Sequence, residues 1–306
     1  KGFLALAGWV CLSAFPAQAQ VTSQKIAAFN TAANSGDVAA LKTAASAIID
    51  GAIADPADAR ADRFVFEAAK TLCVKAGCEK TEAAKAHLIA NKGQLKGVPQ
   101  LSADLVTALI AFKEKSTKDS REALDAVLET YVSQTPDLLS VTAYAARYNE
   151  DIAEARWNSA KASTLRAVKH LEAAKTEAPQ LYYTARRVSL VAEFMADHEK
   201  EASVKLAHHY GEIRQMYNKV DEAPDWLEEE YWTGEAWLDV QEAWFRSEGK
   251  RQKVLKQEER EAILAGYPLP KSDEKKDDDK VKEKTNDRPF CEGTLIQSPE
   301  LQYPKT

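Results

Sequence analysis

Glu235, Asp239 and Glu242 step by four and three residues, so a helix at that point carries three carboxylates on one face. Paired carboxylates do acid–base work when a sugar or a metal lies between them. No basic partner is spaced to complete such a site, and a solvated helix face accounts for the three acids. His208 and His209 lie about one turn from Glu212, a spacing that can hold a metal, but a surface His–Glu pair explains them more simply. The five histidines (His87, His170, His198, His208 and His209) lack the Glu-x-x-His spacing of di-iron ligands. There is no Gly-rich phosphate loop, no Gly-x-Ser-x-Gly elbow and no His-Glu-x-x-His zinc helix. The reading is therefore of a protein that is not an enzyme, with no catalytic residue, no metal and no cofactor. A cell-wall glycan enzyme built on the carboxylate face is the alternative.

Four of the six tryptophans, Trp226, Trp232, Trp237 and Trp244, fall within nineteen residues, with Tyr231 and Phe245 among them. Trp237 and Trp244 are seven apart and share a helical face with Val240, whereas Trp232 points elsewhere. One helix cannot bury all of these against a single neighbour. Either two helices sandwich it, or some of the aromatics line a groove for a peptide or glycan. The residues for such a groove are Tyr217, Tyr231 and Trp232.

Cys73 and Cys78 are five apart, too far for a bridge within one continuous helix. Gly77 can end that helix in a left-handed cap and turn the chain back, so a small-loop disulfide and a pair of free thiols both stand open. Cys291 has no evident mate. The redox setting follows from the start of the chain. Lys1 precedes an apolar run from Phe3 to Ala14, then Pro16 and Ala17-Gln18-Ala19. That order describes a secretory signal peptide over residues 1–19, with an uncleaved anchor as the alternative. The expected location is the periplasm, with no stable membrane span after cleavage.

The remaining chain must supply the scaffold. Its 306 residues are 45% apolar and 29% charged, with 41 basic against 47 acidic side chains and a net charge of −6. Such a length can bury a core or stack as repeats, and the acidic balance argues against nucleic acid as a partner. Apolar residues recur at helical spacing almost throughout residues 20–267. Examples are Leu101, Leu105, Ala108 and Phe112; Val141, Ala145, Tyr148 and Ile152; Ala160, Thr164, Ala167 and Leu171; and Leu206, Tyr210, Ile213 and Tyr217. Prolines at 56, 99, 136, 179 and 224 are separated by 43, 37, 43 and 45 residues, room for two helices each. The predicted fold is all-α, built from antiparallel helix-hairpin repeats as a tetratricopeptide-like α-solenoid. A compact all-α domain is the alternative.

After Pro268-Leu269-Pro270, 13 of the 17 residues from 271 to 287 are charged, so residues 268–287 read as a charged, disordered linker. The composition changes again over residues 288–306, a short β or irregular tail with Pro289-Phe290-Cys291 and then Pro299-Glu300-Leu301-Gln302-Tyr303-Pro304. This tail resembles the opening of the C-terminal domain of the TonB family, with Tyr303-Pro304 as the Tyr-Pro entry pair and Leu301 where many members carry proline. The resemblance covers about fifteen residues and implies a truncated TonB-like module. It further implies contacts with envelope proteins, including TonB-dependent outer-membrane receptors, by β-strand addition. The expected function is thus protein–protein interaction through a helical scaffold, coupled to transport across the outer membrane. A periplasmic peptide-binding or assembly factor unrelated to transport is the alternative.

Overall fold

Local chemistry sets most helix boundaries. The computed structural model describes residues 21–267. Thr22 accepts from the Lys25 amide to start α1 (Ser23–Ser35), and Gly36, at φ 75°, closes it. One residue later Asp37 accepts from Ala40 N to start α2 (Val38–Ala54). Each such cap replaces a lost helix hydrogen bond and contributes about 1 kcal/mol. α3 (Ala61–Ala76) ends at Gly77, whose φ of 67° turns the chain back so that Cys78 N reaches Leu72 O. α4 (Glu82–Ala90), α5 (Gln100–Glu114) and α6 (Lys118–Tyr131) follow. Thr117 and Ser120 cap α6 reciprocally, each amide donating to the other's hydroxyl.

Pro136-Asp137 prefaces α7 (Leu138–Ala153), where Asp137 Oδ1 accepts from Ser140 N at 2.7 Å. Then come α8 (Trp157–Leu171), α9 (Pro179–Asp197), α10 (Lys200–Tyr217), α11 (Asp225–Ser247) and α12 (Gln257–Ala265). The described residues are all-helical, with no strand among them. Each interval between the five prolines holds two helices. Pro99 and Pro224 precede α5 and α11, and Pro179 is the first residue of α9. Asp55, ahead of Pro56, closes α2. None of the described helices is long and apolar enough to cross a membrane.

The stretch read as a single helical body divides into two compact units, with the boundary inside α7. In the first, comprising residues up to 131 with 137–143, each helix from α1 to α6 packs on the next, and α2 and α3 also touch α4 and α5. Leu41, Ile48 and Ile49 of α2, Val65 and Leu72 of α3 and Leu105 and Leu109 of α5 are almost wholly buried. Asp62 ties three elements together. It accepts from His87 Nε2 of α4 and from the Lys96 amide ahead of α5, both at 2.8 Å. Burial alone would raise its carboxyl, but these two donors hold it below the usual range.

In the second unit α8 packs on α9, α9 on α10, α10 on α11, and α9 and α10 also reach α11 and α12. One core cluster gathers Leu206, Tyr210, Leu238 and Leu255, and another gathers Phe194, Ala202, Phe245 and Val254. Tyr267 closes this unit. Its ring lies where a side chain on Gly211 would begin, with ring carbons 2.4 to 2.8 Å from that point, and His208 Nδ1 sits 3.1 Å from its hydroxyl.

Two helix faces differ from the sequence reading. The most buried positions of α7 are not Val141, Ala145, Tyr148 and Ile152, which are half-buried. They are Leu139, Ser140, Ala143, Tyr144, Arg147 and Asp151, a stripe set back by one residue and widened by Leu139 and Ala143. Asp151, wholly buried, is held by Arg147, by Arg156 at 3.0 Å and by Ser159 at 2.7 Å, so a polar network ties α7 to the start of α8. Likewise α11 buries Leu227, Glu230, Gly234, Leu238, Gln241 and Phe245, whereas Val240 of the predicted face is exposed.

Candidate functional site

The buried stripe of α11 decides which aromatics are left outside. With Leu227, Glu230, Gly234 and Leu238 turned inward, Tyr231 lies at the flank and Trp232 stands out, 39% exposed. Gly234 allows the close approach of α10: a Cβ there would lie 3.2 Å from Tyr210 Cδ2. Tyr210 then meets Tyr231 at 5.6 Å between ring centres. Tyr217, at the last turn of α10, stacks on Tyr231 at 4.5 Å and 21°, and Trp232 meets Tyr231 edge-on at 4.9 Å. The three residues nominated for a groove are therefore contiguous, forming a ledge. Burial pushes the Tyr210 phenol up, so the ledge stays uncharged on that side across the ordinary pH range.

The ledge is set in an acidic surround. Residues 219–240 carry eight acidic side chains against one lysine. Of these, Glu230 alone is buried. It accepts from Arg187 Nε at 2.8 Å, Arg187 Nη2 at 3.1 Å and Thr184 at 2.8 Å. Burial would raise its carboxyl, but these donors, with the His209 ring nearby, bring it down to about 2. Asp239 is taken up by Arg260, and the exposed Asp221, Glu222, Asp225 and Glu229 leave a negative field around Trp232 and Tyr217.

The other tryptophans with described contacts pack. Trp226 stacks on Tyr183 at 6.4 Å. Trp244 lies between Phe194 and Phe245, stacks on His198 at 4.6 Å and receives Lys250 over its face. Those contacts are cohesive.

No family model, curated protein or solved structure matches this chain. Geometry and sequence therefore carry the functional argument.

Among the described residues no group of three metal-ligating side chains converges. His209 corrects the sequence reading, which put it in a surface pair with Glu212. It is fully buried, its Nε2 lies 3.8 Å from Glu230, and Glu212 pairs with Arg186 instead. The helix periodicity is the reason. Position 209 falls on the inward side of α10 beside Leu206 and Ile213, while position 208 faces out to Tyr267. Two members of the carboxylate trio are engaged by arginines that spacing did not reveal. Asp239 takes Arg260 at 3.1 Å, and Glu242 takes Arg246.

Cys73 and Cys78 are joined as a disulfide, both buried, across the turn that Gly77 makes. Residues 1–19, the charged stretch 268–287, Cys291 and the Tyr303-Pro304 pair lie outside the described residues. Sequence reasoning missed Glu230 and Gln241. Their signal was the step of three and four from Leu227 through Gly234 and Leu238 to Phe245, which polar residues interrupt.

Proposed function

We propose that this chain is an exported scaffold that works by protein–protein contact, holding a basic, apolar-tipped peptide segment of a partner on the Tyr217–Tyr231–Trp232 ledge. The observation that carries this is the exposed Trp232 seated on a tyrosine stack inside an acidic field. An aromatic of that kind gives large contact area at little ordering cost, and the surrounding carboxylates select a cationic partner. Export is supported by the signal-like opening of the sequence and by the Cys73–Cys78 bridge, which suits an oxidising compartment. Two helices per proline interval, with successive packing from α1 to α6 and from α8 to α11, support tetratricopeptide-like hairpins. The Tyr303-Pro304 tail supports coupling to outer-membrane transport through a TonB-like module.

Binding of Lys/Arg- and Trp/Leu-containing peptides to the full chain, measured by titration calorimetry, tests the ledge. Trp232→Ala should abolish saturable binding, and Glu-substituted peptides should not bind. Equal binding of Trp232→Ala and wild type removes the ledge from the reading. Site-directed cross-linking from position 303 tests the transport part. Products confined to soluble envelope proteins would favour a peptide-binding or assembly factor instead.

A further inference from the structure

Two cavities meet at Arg260. The larger is an open cleft of about 450 Å³ at the end of α11 and the start of α12. Its walls include four basic residues, Arg246, Arg251, Lys256 and Arg260, against two acidic ones, Glu242 and Glu261. Glu242 is engaged by Arg246 and, at 3.7 Å, by Arg260 Nη2, and Arg260 Nη1 is engaged by Asp239 at 3.1 Å. Arg251 is exposed and makes no ion pair among the described residues, which leaves positive charge at the mouth. Lys256 and Gln257 bring the start of α12 to the same cleft, where Glu259 accepts from the Lys256 amide at 2.9 Å.

The smaller chamber, about 10 Å³, shares Glu242 and Arg260 with the cleft and is otherwise lined by Ser203, Gln241 and apolar side chains. Ser203 and Gln241 are each only 2% exposed. Ser203 Oγ, both amide atoms of Gln241 and Arg260 Nε are buried there with no hydrogen-bond partner. Bare polar groups of this kind cost about 1–3 kcal/mol each. Three of the four can donate a hydrogen bond, and the chamber is the size of a single oxygen-sized guest. A donor-rich chamber behind a cationic mouth is suited to an oxygen that carries negative charge.

We propose that the cleft binds an oxyanion-bearing ligand, a carboxylate or a phosphate. One oxygen enters the chamber against Ser203, Gln241 and Arg260, while Arg251 and Lys256 hold the remaining charge. The site is separate from the Tyr217–Tyr231–Trp232 ledge and does not depend on it.

The full chain is titrated with inorganic phosphate and, separately, with acetate, at constant ionic strength set with chloride. Saturable binding to one site is expected, about tenfold weaker in Arg251→Ala and in Gln241→Leu. Arg251 is exposed, so its removal leaves the fold intact, and melting curves confirm this for both variants. Tighter phosphate binding assigns a phosphate-bearing ligand, and tighter acetate binding assigns a carboxylate. The proposal is overturned if neither anion saturates, or if both variants bind as well as wild type. Either result leaves the chamber to a single water.

Discussion

Arg187 and Glu230 form a two-pronged ion pair inside the second unit, with Nε to Oε2 at 2.8 Å and Nη2 to Oε1 at 3.1 Å. The pair joins α9 to α11 one residue before Tyr231, so it fixes the rotation of α11 that puts Trp232 outside.

Breaking one side of that pair strands the other charge in the core. Glu230→Ala should lower unfolding free energy by about 3–5 kcal/mol, read from urea denaturation. The double replacement Arg187→Met with Glu230→Met should recover most of the loss. A single variant that costs under about 1 kcal/mol would show that water reaches the site.

Acid should unfold this unit in two stages. Burial holds the His209 ring below its ordinary 6.5, with Arg186 and Arg187 adding to the effect and Glu230 opposing it. The unfolded chain therefore takes that proton first, and stability declines as pH falls below about 6.5. Glu230, at about 2 against an ordinary 4.5, contributes in full above 4.5 and loses that contribution as pH drops toward 2. Asp151, whose burial is outweighed by Arg147, Ser159 and Arg156, adds to the lower stage. Urea midpoints measured from about pH 7.5 to about pH 3 should fall in both windows. Burial and the nearby Lys250 and Lys253 hold the His198 ring down as well, so His209→Phe should shrink the upper window and leave the lower one unchanged.

Trp232 and Phe245 give opposite signatures. Phe245 is wholly buried against Phe194 at 5.0 Å, and Phe245→Ala should cost about 3–5 kcal/mol. Trp232→Ala should stay within about 0.5–1 kcal/mol of wild type, because its ring is partly in water. A large melting shift for Trp232→Ala would make the ledge a packing feature.

The Cys73–Cys78 bridge closes a small loop, so its value is modest. Replacing both cysteines with alanine should destabilise the first unit by roughly 2 kcal/mol and abolish the dependence of melting on reductant. Melting that is identical with and without reductant in the wild type would contradict the bridge.

Helix content was legible because leucine and alanine recur at steps of three and four, and the prolines mark where helices begin. The face of α11 was not. Trp237, Val240 and Trp244 are the bulky residues, and hydrophobicity drew the buried stripe through them. The actual stripe passes through Gly234, which admits Tyr210, and through Glu230 and Gln241, whose burial depends on partners from other helices. The same limit hid the Arg147–Asp151 face of α7 and the inward turn of His209. A polar side chain reads as outward until its distant counterpart is known. Tyr217, Tyr231 and Trp232 meet as side chains because Tyr231 flanks the buried stripe of α11 and faces the last turn of α10.

The seat of Tyr267 on Gly211 has a mechanical corollary. Tyr267 is fastened to the middle of α10 by a ring that fills the notch at Gly211. A force applied at Tyr267 would load α10 sideways, along the helix that carries Tyr210 and Tyr217. Tension there and contact at the ledge would act on one shared strut.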